Sequence, residues 1–356
     1  MHIENKTAAM TLVILLLLAS GMLASAAYVF FAAQGQTAMP STPSTSPTVT
    51  PSPTATPSPT LNATYIGQSL NTSIVMTNNQ TGITTAVLIR QAPPIREGNV
   101  TVNNFTLMSS VVEFMIPPGA TSNQTVYARG FFGLLENETN AILRQAVADN
   151  MTILNLHPFA LNDTPKLQFL HWQITGNLST ILANIKNIVG NTTIGGTPAV
   201  TPQTQLNATY IGSKLGGTVI NGAVVDVAFS RMDGNITAPG SFTGTGSGNL
   251  TLNGFATMGT LFEFMAANSS VVNASSGTVM VMGDFALKSN EVQGVEKVLM
   301  NSTAYPLVNV TVTAVHDHML METPKMTFLH FEAVGDLNQT INMLNAALSQ
   351  TATRGT

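Results

Sequence analysis

The chain copies itself, and this limits what it can fold into more than any single motif does. Leu61-Asn62-Ala63-Thr64-Tyr65-Ile66-Gly67 returns as Leu206-Asn207-Ala208-Thr209-Tyr210-Ile211-Gly212. Glu113-Phe114-Met115 returns as Glu263-Phe264-Met265, and Gly130-Phe131-Phe132 matches Gly283-Asp284-Phe285. His157 aligns with His316, Thr164-Pro165-Lys166 with Thr323-Pro324-Lys325, and Phe169-Leu170-His171 with Phe328-Leu329-His330. From His157 onward the match needs no gap. Earlier drift in offset falls in Gly- and Asn-rich segments, where loops tolerate insertion. Two tandem domains over about 61–193 and 205–351 follow, joined by Gly-Gly-Thr-Pro-Ala-Val-Thr-Pro-Gln-Thr-Gln.

Each copy opens with short strands rich in Val, Thr and Phe. A helix follows, with Asn290 and Gln293 spaced as a capping box and Val292, Val295 and Leu299 on one face. Two histidine-bearing strands come next, then a closing helix. Leu337, Ile341, Leu344 and Leu348 form its apolar stripe in the second copy, as Leu178, Leu182, Ile185 and Val189 do in the first. The expected class is α+β, each copy a mostly antiparallel sheet with two helices on one face.

Ahead of the repeats, Ala8 to Ala33 is an uncharged apolar run of 26 residues, longer than the ~20 a helix needs to cross a bilayer. Lys6 precedes it and no Lys or Arg follows until Arg90. The positive-inside rule then keeps the N-terminus in the cytoplasm and sends everything else outside. Residues 1–33 read as a signal anchor, giving a single-pass protein of the cell membrane. The competing reading is a cleaved signal peptide, with Ala24-Ser25-Ala26 as the cleavage site and a secreted product. Continuation of the run through Tyr28-Val29-Phe30-Phe31 favours the anchor. Residues 34–60 are a Ser/Thr/Pro tract that lacks core-forming side chains and reads as an extended stalk.

Only 8% of residues are charged, against ~25% in ordinary globular domains. Nineteen Asn-X-Ser/Thr sequons lie beyond the apolar run, among them Asn62, Asn104, Asn137, Asn207, Asn249 and Asn309. Glycans at such sites would supply the missing solvation; chance in an Asn- and Thr-rich chain is the rival explanation. A net charge of −4 without a basic cluster argues against nucleic acid as a partner. With no cysteine, disulfides and thiolate metal sites are excluded.

The candidate site lies on the two strands around Thr323-Pro324-Lys325. His316 and His318 are two apart, so on one strand they share a face. If His318 pairs across from His330, three imidazoles converge and Glu332 falls opposite His316; a slip of one residue dissolves the cluster. Three histidines and a carboxylate would suit zinc, copper, iron or manganese. Against this, Val310, Val312 and Ala314 would share the histidine face, so that the rings merely end an apolar stripe. Asp284, Glu291 and Glu263 are the acidic residues able to approach, Asp284 being the tentative ligand among them. The first copy keeps His157 and His171 but has Phe159 for His318 and Gln173 for Glu332, which points to the second domain as the seat of any site. Methionine as core filler is expected for Met319, Met321 and Met326.

At Gly283–Val292, Ala314–Leu320 and Thr323–Asp336 the second domain resembles the LppY/LpqO family of exported bacterial and archaeal proteins, built around a domain of unknown function and often present as two halves. Asp317 stands where that pattern usually has Asn. The resemblance implies an exported, anchored protein and brings no established activity or ligand; the sequons and low charge point to an archaeal member. Three functions remain open. The first is a glycosylated binding or structural module of the cell envelope, with an envelope protein or small ligand as partner. The second is a metal-dependent enzyme using His316, His318 and His330, and the third a scaffold whose histidines only pack.

Overall fold

A computed structural model describes residues 60–353, except 80, 104, 121–124, 195–205, 222–223, 232 and 268–276. The expected anchor, most of the stalk, the linker over 195–205 and Asn104 lie outside the described residues. Among the described residues no helix is long and apolar enough to cross a membrane.

The two repeats are tandem α+β units of the same plan. In the first, strands β1 (Val75–Asn78), β2 (Ile83–Leu88), β3 (Ser110–Met115), β4 (Val126–Leu135), β5 (Thr152–His157) and β6 (Leu167–Gly176) form an antiparallel sheet in the order β1-β2-β3-β4-β6-β5. In the second, β7 (Thr218–Asn221), β8 (Val225–Phe229), β9 (Thr260–Ala266), β10 (Thr278–Lys288), β11 (Val308–His316) and β12 (Met326–Asp336) repeat that order, with β12 between β10 and β11.

Each sheet carries three helices rather than the expected two. The additional one opens the repeat: Ala63–Leu70 (α1) and Ala208–Leu215 (α4). Asn62 and Asn207 cap them, their side-chain oxygens accepting from Tyr65 N and Tyr210 N, the role that favours Asn just before a helix. The duplicated Leu-Asn-Ala-Thr-Tyr-Ile-Gly is therefore a helix start. The others on the sheets are α2 (Glu136–Ala148), α3 (Leu178–Val189), α5 (Val292–Leu299) and α6 (Leu337–Leu348), and a one-turn helix spans Gly240–Thr243. The anticipated Asn290/Gln293 capping box does not form. The cap position of α5 is Glu291, whose carboxylate accepts from Lys288 N and binds Arg231 instead.

The leucine stripes of α3 and α6 are buried against their own sheets. The other face of each sheet is also covered, because the two sheets pack on each other. Val87, Phe105, Phe159 and Phe169 of the first repeat share one apolar cluster with Val224, Met280 and Met282 of the second, and Tyr127 and Leu154 share another with Phe255, Met319 and Phe328. The result is four layers: helices, sheet, sheet, helices. This explains why β10 is buried at every position from Val279 to Leu287, on both faces rather than alternately. Met319 and Met326 are interior as expected, whereas Met321 is exposed.

The interface has an approximate twofold character. Glu113 on β3 crosses to the second repeat and accepts from Ala256 N (2.6 Å), Thr257 N (3.1 Å) and the Thr257 hydroxyl. Its counterpart Glu263 on β9 crosses back and accepts from Thr106 N (2.6 Å) and Leu107 N (2.7 Å). Each carboxylate thereby satisfies the free amides at the start of the other repeat's 3₁₀ turn.

Candidate metal centre

Two β-bulges aim the histidines. On β11 the pairing runs Val310 to Ala333 and Val312 to Phe331, then shifts so that Ala314 meets His330 and His316 meets Phe328. Thr313 is the extra residue. Such an insertion reverses the strand's side-chain parity. Val310 and Val312 face the helices, whereas His316 faces the partner sheet. The expected apolar stripe leading into His316 is therefore broken, and the stripe reading of this ring fails. The first repeat has the same device: Ile153 pairs with Trp172, Asn155 with His171 and His157 with Phe169, with Leu154 as the bulge.

The register expected from sequence also needs correction. Ala314, not His318, lies across from His330, and Thr311, not His316, lies across from Glu332. His318 is past the end of β11 in an irregular segment, so the tight Thr323-Pro324-Lys325 hairpin does not occur. Lys325 instead holds that segment, reaching Met319 O (3.1 Å) and the Asp317 carboxylate (2.8 Å).

The rings converge all the same, and more of them than expected. Five of the chain's six histidines meet between the sheets. His157 and His171 come from the first repeat, His316, His318 and His330 from the second. The site is not confined to the second domain. Ring centroids lie 3.8 Å apart for His157 and His316 and 4.4 Å for His171 and His318. The Nε2 atoms are 3.0 Å apart for His157 and His171 and 2.6 Å apart for His316 and His330.

Backbone carbonyls determine the tautomers of three rings. A carbonyl only accepts, so a ring nitrogen bonded to one must carry the hydrogen. His157 Nδ1 donates to Pro158 O (2.7 Å), His316 Nδ1 to Asp317 O (3.2 Å) and His318 Nδ1 to Thr257 O (2.8 Å). In their neutral forms all three present a bare Nε2 lone pair. The outer contacts cross the repeats: Asn155 Nδ2 donates to the same Asp317 O, and Glu113 caps the turn that supplies Thr257 O. A ring held by a carbonyl at one nitrogen, with the lone pair of the other turned inward, is the usual support of a metal-ligating histidine.

Burial keeps the rings neutral. His157 is pushed down to about 3 and His316 to about 4, in both cases chiefly by desolvation. The fully enclosed His171, His318 and His330 are depressed well below the ordinary histidine range, by burial first and by neighbouring rings second. Neutral imidazole is the form that binds a cation. Asp284, paired with His330 across β10 and β12, is held well above the carboxylate range by burial. The neighbouring Gly283 leaves room for the Phe331 ring, which a Cβ there would meet at 2.0 Å.

Three donor groups result, each with its atoms within 4.8 Å of one another: His157, His316 and His330; His171, His316 and His318; Asp284, His318 and His330. Glu332 belongs to none of these. It sits where burial, and then the charges of Glu97 and Asp163 from the first repeat, raise it to about 7. Glu291 is held in the Arg231 ion pair and Glu263 in its cap, both away from the rings. His157 and His171 were passed over in sequence because their repeat lacks the second histidine; their alignment with His316 and His330 was the available signal.

Fold and site together define a duplicated α+β protein whose only histidine-rich surface is the seam between its halves, among the described residues. The chain belongs to the family described as Domain of Unknown Function (DUF1259), whose model matches residues 67–190 and 210–350, once per repeat. No curated protein and no solved structure matches the chain.

Proposed function

We propose that this is a metal-binding module of the cell envelope, carrying a divalent late first-row transition metal between its two repeats and held outside the membrane by its N-terminal segment. The observation that carries the reading is the donor group of His157, His316 and His330, whose ligand atoms lie within 4.8 Å of one another, with His157 and His316 each fixed by a carbonyl at Nδ1. All-nitrogen donor sets suit zinc, copper or iron ahead of calcium or magnesium. Kinship with the LppY/LpqO-like exported proteins is part of the proposal, and the Gly-Asp-Phe, His-Asp-His and Phe-Leu-His segments support it.

Glycosylation belongs to the same proposal, and burial supports it. Of the fifteen sequon asparagines among the described residues, thirteen are exposed and two, Asn177 and Asn338, are half-buried. Of ten described asparagines outside sequons, only four are exposed. Composition alone would not sort the two groups this way.

The full chain, purified in detergent from its native host, is expected to retain stoichiometric metal by elemental analysis and to lose thermal stability on chelation. A chain with no metal, whose melting is unchanged by zinc, copper, ferrous iron or manganese, would end the reading. Catalytic use of the ion is the second reading. It is favoured by His316, the one ring of the five that is only half-buried, which leaves the centre an edge toward solvent.

A further inference from the structure

The unpartnered atoms around the centre are not randomly distributed. Among the described residues, Asp284 Oδ1, His318 Nε2 and His330 Nδ1 are all buried without a hydrogen-bond partner. These three side chains form one of the donor groups within 4.8 Å, and His330 Nδ1 lies 3.8 Å from Asp284 Oδ1. Their tautomers make the coincidence informative. His318 gives its hydrogen to Thr257 O, so its Nε2 is a lone pair. His316 gives its own hydrogen to Asp317 O, so in the 2.6 Å contact of the two Nε2 atoms His330 is the donor. In the neutral ring that leaves His330 Nδ1 bare. Two nitrogen lone pairs and a carboxyl oxygen thus face one another, in a place from which water is nearly excluded. Buried acceptors are almost always satisfied, and no donor among the described residues satisfies these.

We infer that the centre holds two cations, the second bound by Asp284 Oδ1, His318 Nε2 and His330 Nδ1, with the His330 ring bridging it to a first ion on His157 and His316. This deepens the metal-binding proposal and rests on it. When both positions fill, the remaining ring N–H proton of His330 and the carboxyl proton of Asp284 pass to solvent, and each His330 ring nitrogen takes one ion; no redox change is involved. Two imidazoles and one carboxylate are a donor set for zinc, copper or iron with positions left open.

The test is copper(II) or zinc titration of the full chain, stripped of metal, with the bound metal counted after gel filtration. Two equivalents are expected for the wild type and one for Asp284→Asn, which keeps the side chain's shape and cannot become a carboxylate on binding. With copper, the two-equivalent form should show a strongly attenuated paramagnetic resonance signal through coupling across the His330 ring, and Asp284→Asn the full signal of an isolated ion. Should Asp284→Asn not fold, His318→Gln gives the same comparison at the second ligand. One equivalent in both wild type and variants overturns the second site, and two equivalents with uncoupled signals overturn the bridge. No binding at all would instead remove the underlying metal proposal.

Discussion

The two repeats share strand order, bulge and closing helix, yet they solve the same interior differently. Phe131 and Phe159 in the first stand where the second has Asp284 and His318, so the first half lines the seam with aromatic carbon and the second with ligand atoms. Beside the interface carboxylates the contrast runs on. Glu113 receives the Thr85 hydroxyl (3.4 Å), whereas Glu263 faces a second acid, Asp226. One half supplies support and two rings, the other the chemistry. A duplicated fold can divide labour this way because each sheet face is completed by the other copy, and neither has to form a site alone.

The largest expected break in this comparison comes from the reciprocal caps. Glu113→Ala strands the Ala256 and Thr257 amides, the Thr257 hydroxyl and the buried Arg129, and should cost about 3–5 kcal/mol in urea unfolding, the range for orphaning a buried charged partner. Glu263→Ala should cost less, about 1–3 kcal/mol, because it also removes a carboxyl that Asp226 repels. Equal costs would mean that the two halves do not differ at this point. Next is His318→Phe, which gives the second repeat the first repeat's residue. Metal affinity at the second position, on Asp284, His318 and His330, should fall at least about a hundredfold, the upper end of losing even an outer partner of a metal ligand, with the fold retained by circular dichroism.

A smaller effect tests the acid pair. Burial raises Asp226 to about 7, and burial followed by the Asp226 charge raises Glu263 well above its ordinary range. A folded-state pKa above the unfolded value means the folded chain holds the extra proton. This contribution to stability is complete below the unfolded carboxyl value of ~3.9 and is lost as pH rises through about 7. Asp226→Thr, copying Thr85, should therefore stabilise the chain at pH 8 relative to pH 5 by about 1–3 kcal/mol. The same gain at both pH values would contradict the assignment. Smallest and most symmetrical are the helix starts: Asn62→Ala and Asn207→Ala should each cost about 1 kcal/mol in unglycosylated protein.

Much of this architecture was legible because duplication made every pattern appear twice. The Leu337 to Leu348 stripe and its earlier copy gave the closing helices, and the alignment of His157 with His316 gave the equivalence of the sites. The opening helices were missed because Ala-Thr-Tyr-Ile-Gly is short and poor in strong helix formers; the Asn cap was its only signature. The direction of His316 could not be read either. A bulge at Thr313 changes parity without altering composition, so a strand with it and a strand without it look alike in sequence. Nor does either repeat, taken alone, say that its second sheet face meets the other copy. That contact turns two unremarkable histidines at 157 and 171 into neighbours of three more.

Whether the centre belongs to both repeats is decided most directly by calorimetric zinc titration of the full chain carrying His157→Ala and His171→Ala together. The second repeat keeps all its own ligands in that variant. A site shared across the seam predicts that zinc binding at the His157 and His316 position weakens by a hundredfold or more, with the chain still folded and the second position, built from the second repeat alone, retained. Wild-type affinity at both positions would show that the second repeat binds metal without help, and the shared centre would be contradicted.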